Sequence, residues 1–196
     1  MDDLLARLLE KVENRYYGKY RAIVVSNADP DKLGRLRLRI PSVLGNEVVS
    51  GWALPCTPYG GAADQGFFFI PEKDEGVWVE FEAGNLDYPI WVGTFWCKPG
   101  GTTEVPKPGD EQSPPTSKII KTSKGTLIRM DDAEESLTIK DKTGNTIKIS
   151  PSEFSLIAKK KLTIDAGTND IEISGKEITI KAQTNNNIKG SMINLN

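Results

Sequence analysis

Residues that commonly carry out catalysis are scarce in this sequence. It contains no histidine, the side chain used most often as a general base, as a zinc ligand and as the partner of a catalytic serine or cysteine. Its two cysteines, Cys56 and Cys97, are too few for a metal site and form no CxxC pair. We interpret them as buried free thiols, with a disulfide as the alternative, and we expect no cofactor and no metal.

Two charged clusters are the other candidates for chemistry. The paired acids Asp131-Asp132 and Glu134-Glu135 could act as acid and base, but they lie in a polar stretch typical of a hairpin turn, where we expect them to be solvated. The run 159–161 consists of three lysines, which could contact anionic lipid or cover the outer wall of a rod. We favour the outer wall, and the sequence indicates no enzyme.

Nucleic-acid binding is one function that charged and aromatic residues of the first half could serve, and it is the main alternative to a structural role. Arg35, Arg37 and Arg39 alternate with apolar residues and predict a strand with one charged face. These arginines could bind phosphates while tryptophans stack on bases, the candidates being Trp52, Trp78 and Trp91. However, residues 1–116 carry 12 basic and 17 acidic side chains, and Glu80 and Glu82 follow Trp78 at alternate positions. We therefore favour a solvated strand face and expect no nucleic-acid partner.

The 196 residues divide into two halves of different composition near Thr116. Fourteen of the 15 aromatic residues and 11 of the 12 prolines precede it, whereas 14 of the 18 isoleucines follow it. We predict an N-terminal helix at 1–17, a barrel domain at 18–97, a Pro- and Gly-rich linker at 98–116 and a second domain at 117–196. Apolar stretches reach four residues and the first residues are acidic, so we expect synthesis in the cytoplasm without a signal peptide.

The first half has β periodicity after its leucine-striped start. The predicted strands lie at 20–25, 33–40, 52–54, 66–70, 77–83 and 89–95. About five short strands in this length fit a small closed barrel such as an OB-fold, because closure removes exposed strand edges. The fold class we expect is therefore all-β.

The second half repeats an apolar, polar, apolar triplet about every eight residues. The copies begin at 137, 147, 162, 171, 178 and 193. Alternation places both apolar members of a triplet on one face, so each strand has a single apolar stripe. One chain cannot enclose such stripes, whereas three identical chains around a common axis can. We predict an intertwined, homotrimeric triple-stranded β-helix whose core residues are Ile147, Ile149, Leu162, Ile164, Ile171, Ile173, Ile178 and Ile180. An ordinary antiparallel meander is the alternative.

Several segments resemble one known family. The match rests on residues 20–25, on 27–38 with Asp29-Pro30 and Leu33-Gly34-Arg35, and especially on 76–84 with 88–93. These segments are similar to the OB domain of phage baseplate assembly protein V and of the VgrG spike proteins of type VI secretion. Residues 118–122 and 144–149 resemble the segments that lead into the trimeric β-helix of that family.

The resemblance implies the central spike of a contractile injection system, which plugs the tail tube and pierces the target envelope when the sheath contracts. It implies hub and tail-tube proteins as partners, assembly into a particle, and transient contact with a cell envelope. The linker at 98–116 replaces the lysozyme domain of some relatives, and the histidines that bind iron in some spike tips are absent. We therefore expect a separate PAAR-type tip protein at Ile193, Asn194, Leu195 and Asn196. A trimeric fibre or adhesin is a further alternative.

The predicted trimer core gives the first testable expectation. Ile173→Asp would bring three carboxylates near a shared axis, which costs free energy through desolvation and like-charge repulsion. We expect the trimer to be lost, as measured by light scattering. A trimer with an unchanged melting temperature would contradict the predicted axis.

Overall fold

A computed structural model describes residues 15–109 and 115–194. The chain divides into two compact units between Ile120 and Lys121. The predicted helix at 1–17 falls mostly outside the described residues, and residues 15–17 are not helical.

Five strands of the first unit form a closed barrel. They are β1 (Tyr20–Ser26), β2 (Leu36–Arg39), β3 (Val49–Pro55), β4 (Gly76–Phe81) and β5 (Pro89–Thr94), in the spatial order β1-β2-β3-β5-β4. All neighbouring pairs are antiparallel except β3 with β5, which is parallel. The barrel confirms the OB-like fold predicted from the strand count, and the predicted hairpin between β4 and β5 is present.

Alternation along the strands builds the barrel core. In β2 the two leucines are buried and the two arginines exposed, and β4 alternates in the same way. A short helix, α1 (Pro41–Leu44), links β2 to β3, and 3-10 turns lie at Glu82–Gly84 and Pro99–Gly101. The buried apolar cluster comprises Ala22, Val24, Leu36, Leu38, Ile40, Ala53, Val77, Val79, Phe81 and Trp91.

Two predicted strands differ from the structure. Residues 66–70 form no strand and belong to a loop, in which Phe67, Phe68 and Phe69 are all exposed. The predicted strand at 33–40 begins only at Leu36, because the preceding residues close a turn around the side chain of Asp29. At 66–70 the run of apolar residues had the pattern of a buried strand. At 33–35 the hydrogen bonds to Asp29 hold the backbone in a turn, although the alternating sequence predicted a strand.

The Asp29 carboxylate organises the loop between β1 and β2. It accepts hydrogen bonds from the backbone N–H groups of Asp31 at 3.1 Å, Leu33 at 2.8 Å and Arg35 at 3.2 Å. The Arg35 guanidinium donates to it through Nε at 3.0 Å and Nη2 at 2.6 Å. These bonds, the arginine's above all, hold the pKa of Asp29 far below its usual range. The loop is thus fixed by an ion pair between two nearly buried side chains.

Gly34 connects this loop to the barrel core. It is buried with φ of +75°, and a Cβ at this position would lie 2.7 Å from Cδ1 of Ile70. Its carbonyl accepts a hydrogen bond of 3.1 Å from the indole Nε1 of Trp91. Its positive φ therefore favours glycine, and an added Cβ would also force the end of the Ile70 side chain to move.

The second sheet is a five-stranded antiparallel meander. Its strands are β6 (Ser117–Lys121), β7 (Leu127–Asp131), β8 (Ser136–Lys140), β9 (Thr146–Ser150) and β10 (Glu153–Ile157), and each lies beside its neighbour in sequence. Residues 158–194 contain no helix or strand. The meander alternative therefore describes residues 117–157 of the single chain, while the intertwined triple-stranded β-helix stays a prediction.

The Gly34 environment can be tested by a single substitution. Gly34→Ala should destabilise the barrel by about 1–3 kcal/mol, because alanine meets both an unfavourable φ and the Ile70 side chain. Urea unfolding followed by tryptophan fluorescence measures the loss.

Gly45→Ala is the matched control. Gly45 has the same φ of +75°, but nothing lies within 4 Å of a Cβ built on it. We expect the smaller loss for Gly45→Ala, and equal losses would show that contact with Ile70 contributes nothing.

Candidate assembly surface

The register of the meander places most of its apolar side chains on one face. Ile139 lies opposite Ile128 on one side and Ile147 on the other, and Ile149 lies between Leu137 and Phe154. Directly opposed residues on neighbouring strands share a face of the sheet. The full set is Ile128, Met130, Leu137, Ile139, Ile147, Ile149, Phe154 and Leu156, which we call the apolar face.

The apolar face is not covered in the single chain. Six of its eight side chains are between 37% and 69% exposed, with Phe154 the most exposed, and Ile128 and Leu137 are half-buried. Contiguous exposed apolar patches of this kind mark interaction surfaces in soluble proteins. The apolar face is therefore the strongest candidate for an assembly surface.

Two of the predicted core residues lie at the centre of this face. β9 carries Ile147 and Ile149, and the register places them beside four apolar residues that the sequence prediction did not include. Two of those, Leu137 and Ile139, form one of the repeated triplets, so the repeat itself contained the signal. Phe154 and Leu156 follow the same alternation in β10.

The other predicted core residues lie in the segment after β10. All six are 50–71% exposed and outside any strand: Leu162, Ile164, Ile171, Ile173, Ile178 and Ile180. Their place in a trimer core stays a prediction. Of the four tip residues, Ile193 and Asn194 are exposed, and Leu195 and Asn196 lie outside the described residues.

The opposite face of the meander is mostly polar, with Leu127 and Ile157 among its apolar members. Lys148 of β9 lies opposite Thr138 and Ser155 and pairs with Glu153 at 2.8 Å, which raises the pKa of Lys148. The sheet is thus amphipathic, with one face suited to water.

The turn between β7 and β8 corrects one expectation. The four acids do lie in a hairpin turn, where Asp132, Glu134 and Glu135 are exposed as expected, but Asp131 is only 3% exposed. Its Oδ1 accepts hydrogen bonds of 3.0 Å from the N–H groups of Ala133 and Glu134, and Arg129 donates to Oδ2. Asp131 therefore closes the turn, a structural role.

A second carboxylate shapes the turn between β8 and β9. Asp141 accepts hydrogen bonds from the Asn145 side chain at 2.7 Å, from the Asn145 N–H at 2.9 Å and from the Thr143 hydroxyl at 2.8 Å. These bonds, the Asn145 side chain's first, lower the pKa of Asp141. The Asn145 side-chain oxygen in turn accepts the backbone N–H of Lys159 at 2.8 Å. The same turn thereby fixes where the chain leaves β10.

Two of the residues named for the nucleic-acid alternative, Trp91 and Arg35, are engaged within the barrel domain. Trp91 is 5% exposed and its indole is hydrogen-bonded inside the domain. Arg35 is bound by two aspartates and lies over the Trp52 ring at 5.6 Å. Neither that arginine nor Trp91 is on a solvated strand face.

The cysteine prediction is partly wrong. Cys56 and Cys97 are free thiols, but both are exposed because each follows the end of a barrel strand and enters a surface loop. In the part of the chain that the structure describes, no group of three or more cysteine, aspartate or glutamate side chains could hold a metal ion. No helix among those residues has the length and apolar character needed to cross a membrane.

Comparison with known proteins identifies the barrel. Residues 20–96 match the family model described as the type VI secretion system/phage-baseplate injector OB domain. The matched range begins with β1 and ends just after β5. A search of curated proteins found no match.

The Asp141 turn gives a pH-dependent prediction. Because its pKa is lower folded than unfolded, the Asp141 carboxylate stabilises the sheet above its unfolded pKa and loses that effect as the pH falls through the folded pKa. Asp141→Asn should therefore lower the melting temperature at neutral pH and have a smaller effect in acid. Circular dichroism melts at both pH values measure this, and an effect that does not change with pH would contradict it.

Proposed function

We propose that this chain, whose barrel domain belongs to the type VI secretion system/phage-baseplate injector OB-domain family, is the central spike of a contractile injection machine. The family gives a structural role related to the baseplate spike. The finer proposal concerns the second unit, which the family model does not cover. According to this proposal, the second unit forms a trimeric needle. The observation that supports a trimer is the uncovered apolar face.

The apolar face requires partners of matching chemistry. Burying exposed aliphatic and aromatic surface is the main favourable term in association, and here six apolar side chains of one sheet remain more than a third exposed. Copies of the same chain supply an equivalent surface without any additional protein. Threefold symmetry closes the assembly, so that no apolar face is left at an edge.

The segment 158–194 has few backbone partners among the described residues. Its one backbone–backbone hydrogen bond within the described residues joins the Asn169 N–H to the Ala166 carbonyl at 3.0 Å. Its apolar triplets continue the alternation of the meander, as at Ile171 with Ile173. Strands contributed by two other chains would pair these backbone groups and cover the stripes together.

Such a needle would bear load without catalysis. Strands hydrogen-bonded to two other chains cannot separate one at a time, so the rod resists buckling when it is pushed along its axis. In this proposal the barrel domains sit at the tail-tube hub and plug the tube, and the needle pierces the target envelope. A PAAR-type protein would cover the end near Ile193 and Asn194.

The assembly proposal predicts a large effect at a half-exposed position. Ile149 is 44% exposed in the single chain, so Ile149→Asp would cost a monomer little. In a trimer the same change buries charge at the shared surface. We expect the full chain to sediment as a trimer and Ile149→Asp to sediment as a monomer with its barrel folded, measured by analytical ultracentrifugation and tryptophan fluorescence.

Ser155→Asp is the matched control. Ser155 of β10 belongs to the polar face and lies opposite Lys148. It adds the same charge, and we expect the trimer to persist. A monomeric parent chain, or equal dissociation of both variants, would overturn the assembly proposal.

A further inference from the structure

The outer surface of three barrel strands has an unusual charge pattern. β1, β2 and β3 carry Arg21, Arg37 and Arg39 and not one aspartate or glutamate. All three arginines are exposed. Residues 1–116 nevertheless carry more acidic than basic side chains. These three strands are thus positively charged within an acidic part of the chain.

Strand register places these arginines on one face. Arg39 lies opposite Ile23 of β1, and Arg37 lies opposite Trp52 of β3. The residues between them, such as Leu38, are buried in the core. We call Arg21, Arg37 and Arg39 the arginine strip.

Two arginine heads of the strip are available to a partner. Neither Arg37 nor Arg39 forms an ion pair within the described ranges, and Arg37 makes one long hydrogen bond, 3.4 Å from Nε to the Ser50 carbonyl. Arg21 lies over the rings of Trp78 at 5.5 Å and Phe95 at 5.4 Å, which orients its guanidinium. Guanidinium groups placed in this way suit bidentate binding of carboxylates.

We infer that the arginine strip is a docking surface for an acidic segment of another protein. Charge complementarity selects an acidic partner, since the strip is positive and its three strands bring no carboxylate to compete. An acidic peptide is favoured over single-stranded nucleic acid because the tryptophan rings nearby already carry guanidinium groups, Arg35 over Trp52 and Arg21 over Trp78. Bases would have to displace these arginines to stack. The inference depends on the barrel alone and not on trimer formation.

Binding of a labelled oligoglutamate peptide to the full chain tests the inference. Fluorescence anisotropy at low salt should show binding that weakens as salt is added. Arg37→Glu combined with Arg39→Glu should reduce the affinity at least about tenfold, because two attractive charges become repulsive.

Lys73→Glu combined with Lys98→Glu is the control. Both lysines are exposed, lie outside the three strands and give the same change in net charge. We expect this variant to bind within about twofold of the parent chain. Circular dichroism melts check that both double variants remain folded.

Three outcomes would overturn the inference. The first is that the parent chain shows no salt-sensitive binding of the peptide. The second is that both double variants lose affinity equally. The third is that an oligothymidylate of the same charge binds more tightly than the peptide through Arg37 and Arg39. The last result would assign the strip to nucleic acid.

Discussion

The second unit is governed by one constraint, which is that a strand with period-two alternation has only one apolar side. Stacking such strands into a meander aligns the stripes but does not cover them. Ile139, Ile147 and Ile149 therefore share a face while remaining more than a third exposed. In our proposal the second unit completes its core through association, so that folding and assembly are linked.

The barrel solves the equivalent problem inside one chain. Its sheet closes on itself, so the apolar sides of β1 to β5 meet at a common interior and need no partner. The loops then have to hold the closure in place. The Asp29–Arg35 ion pair and the Gly34 contact with Trp91 do so by satisfying backbone and side-chain groups at the edge of the core. This self-contained domain can offer its outer surface, including the arginine strip, to other proteins.

Turn carboxylates recur in both units with similar roles. Asp29, Asp131 and Asp141 each accept backbone N–H groups of the turn that follows them. Each of these carboxylates is occupied by the hydrogen bonds of its turn and, within the described residues, is not paired with a second acid for acid–base chemistry. Acidic residues that appear reactive in the sequence are here the groups that fix the connections between strands.

Alternation and composition were sufficient to predict the all-β class, the barrel, the β4–β5 hairpin and the apolar stripes, because period-two patterning is a local property of the chain. Sequence also sufficed for the resemblance of the barrel to an injector OB-domain family, whose model matches residues 20–96. Tertiary structure decided the rest. Residues 33–35 form a turn because the Asp29 carboxylate accepts the backbone N–H groups of Leu33 and Arg35. Residues 66–70 form a loop although they are mostly apolar. The burial of Trp91, whose indole donates to the Gly34 carbonyl, depends on residues distant in sequence, which a local pattern does not encode.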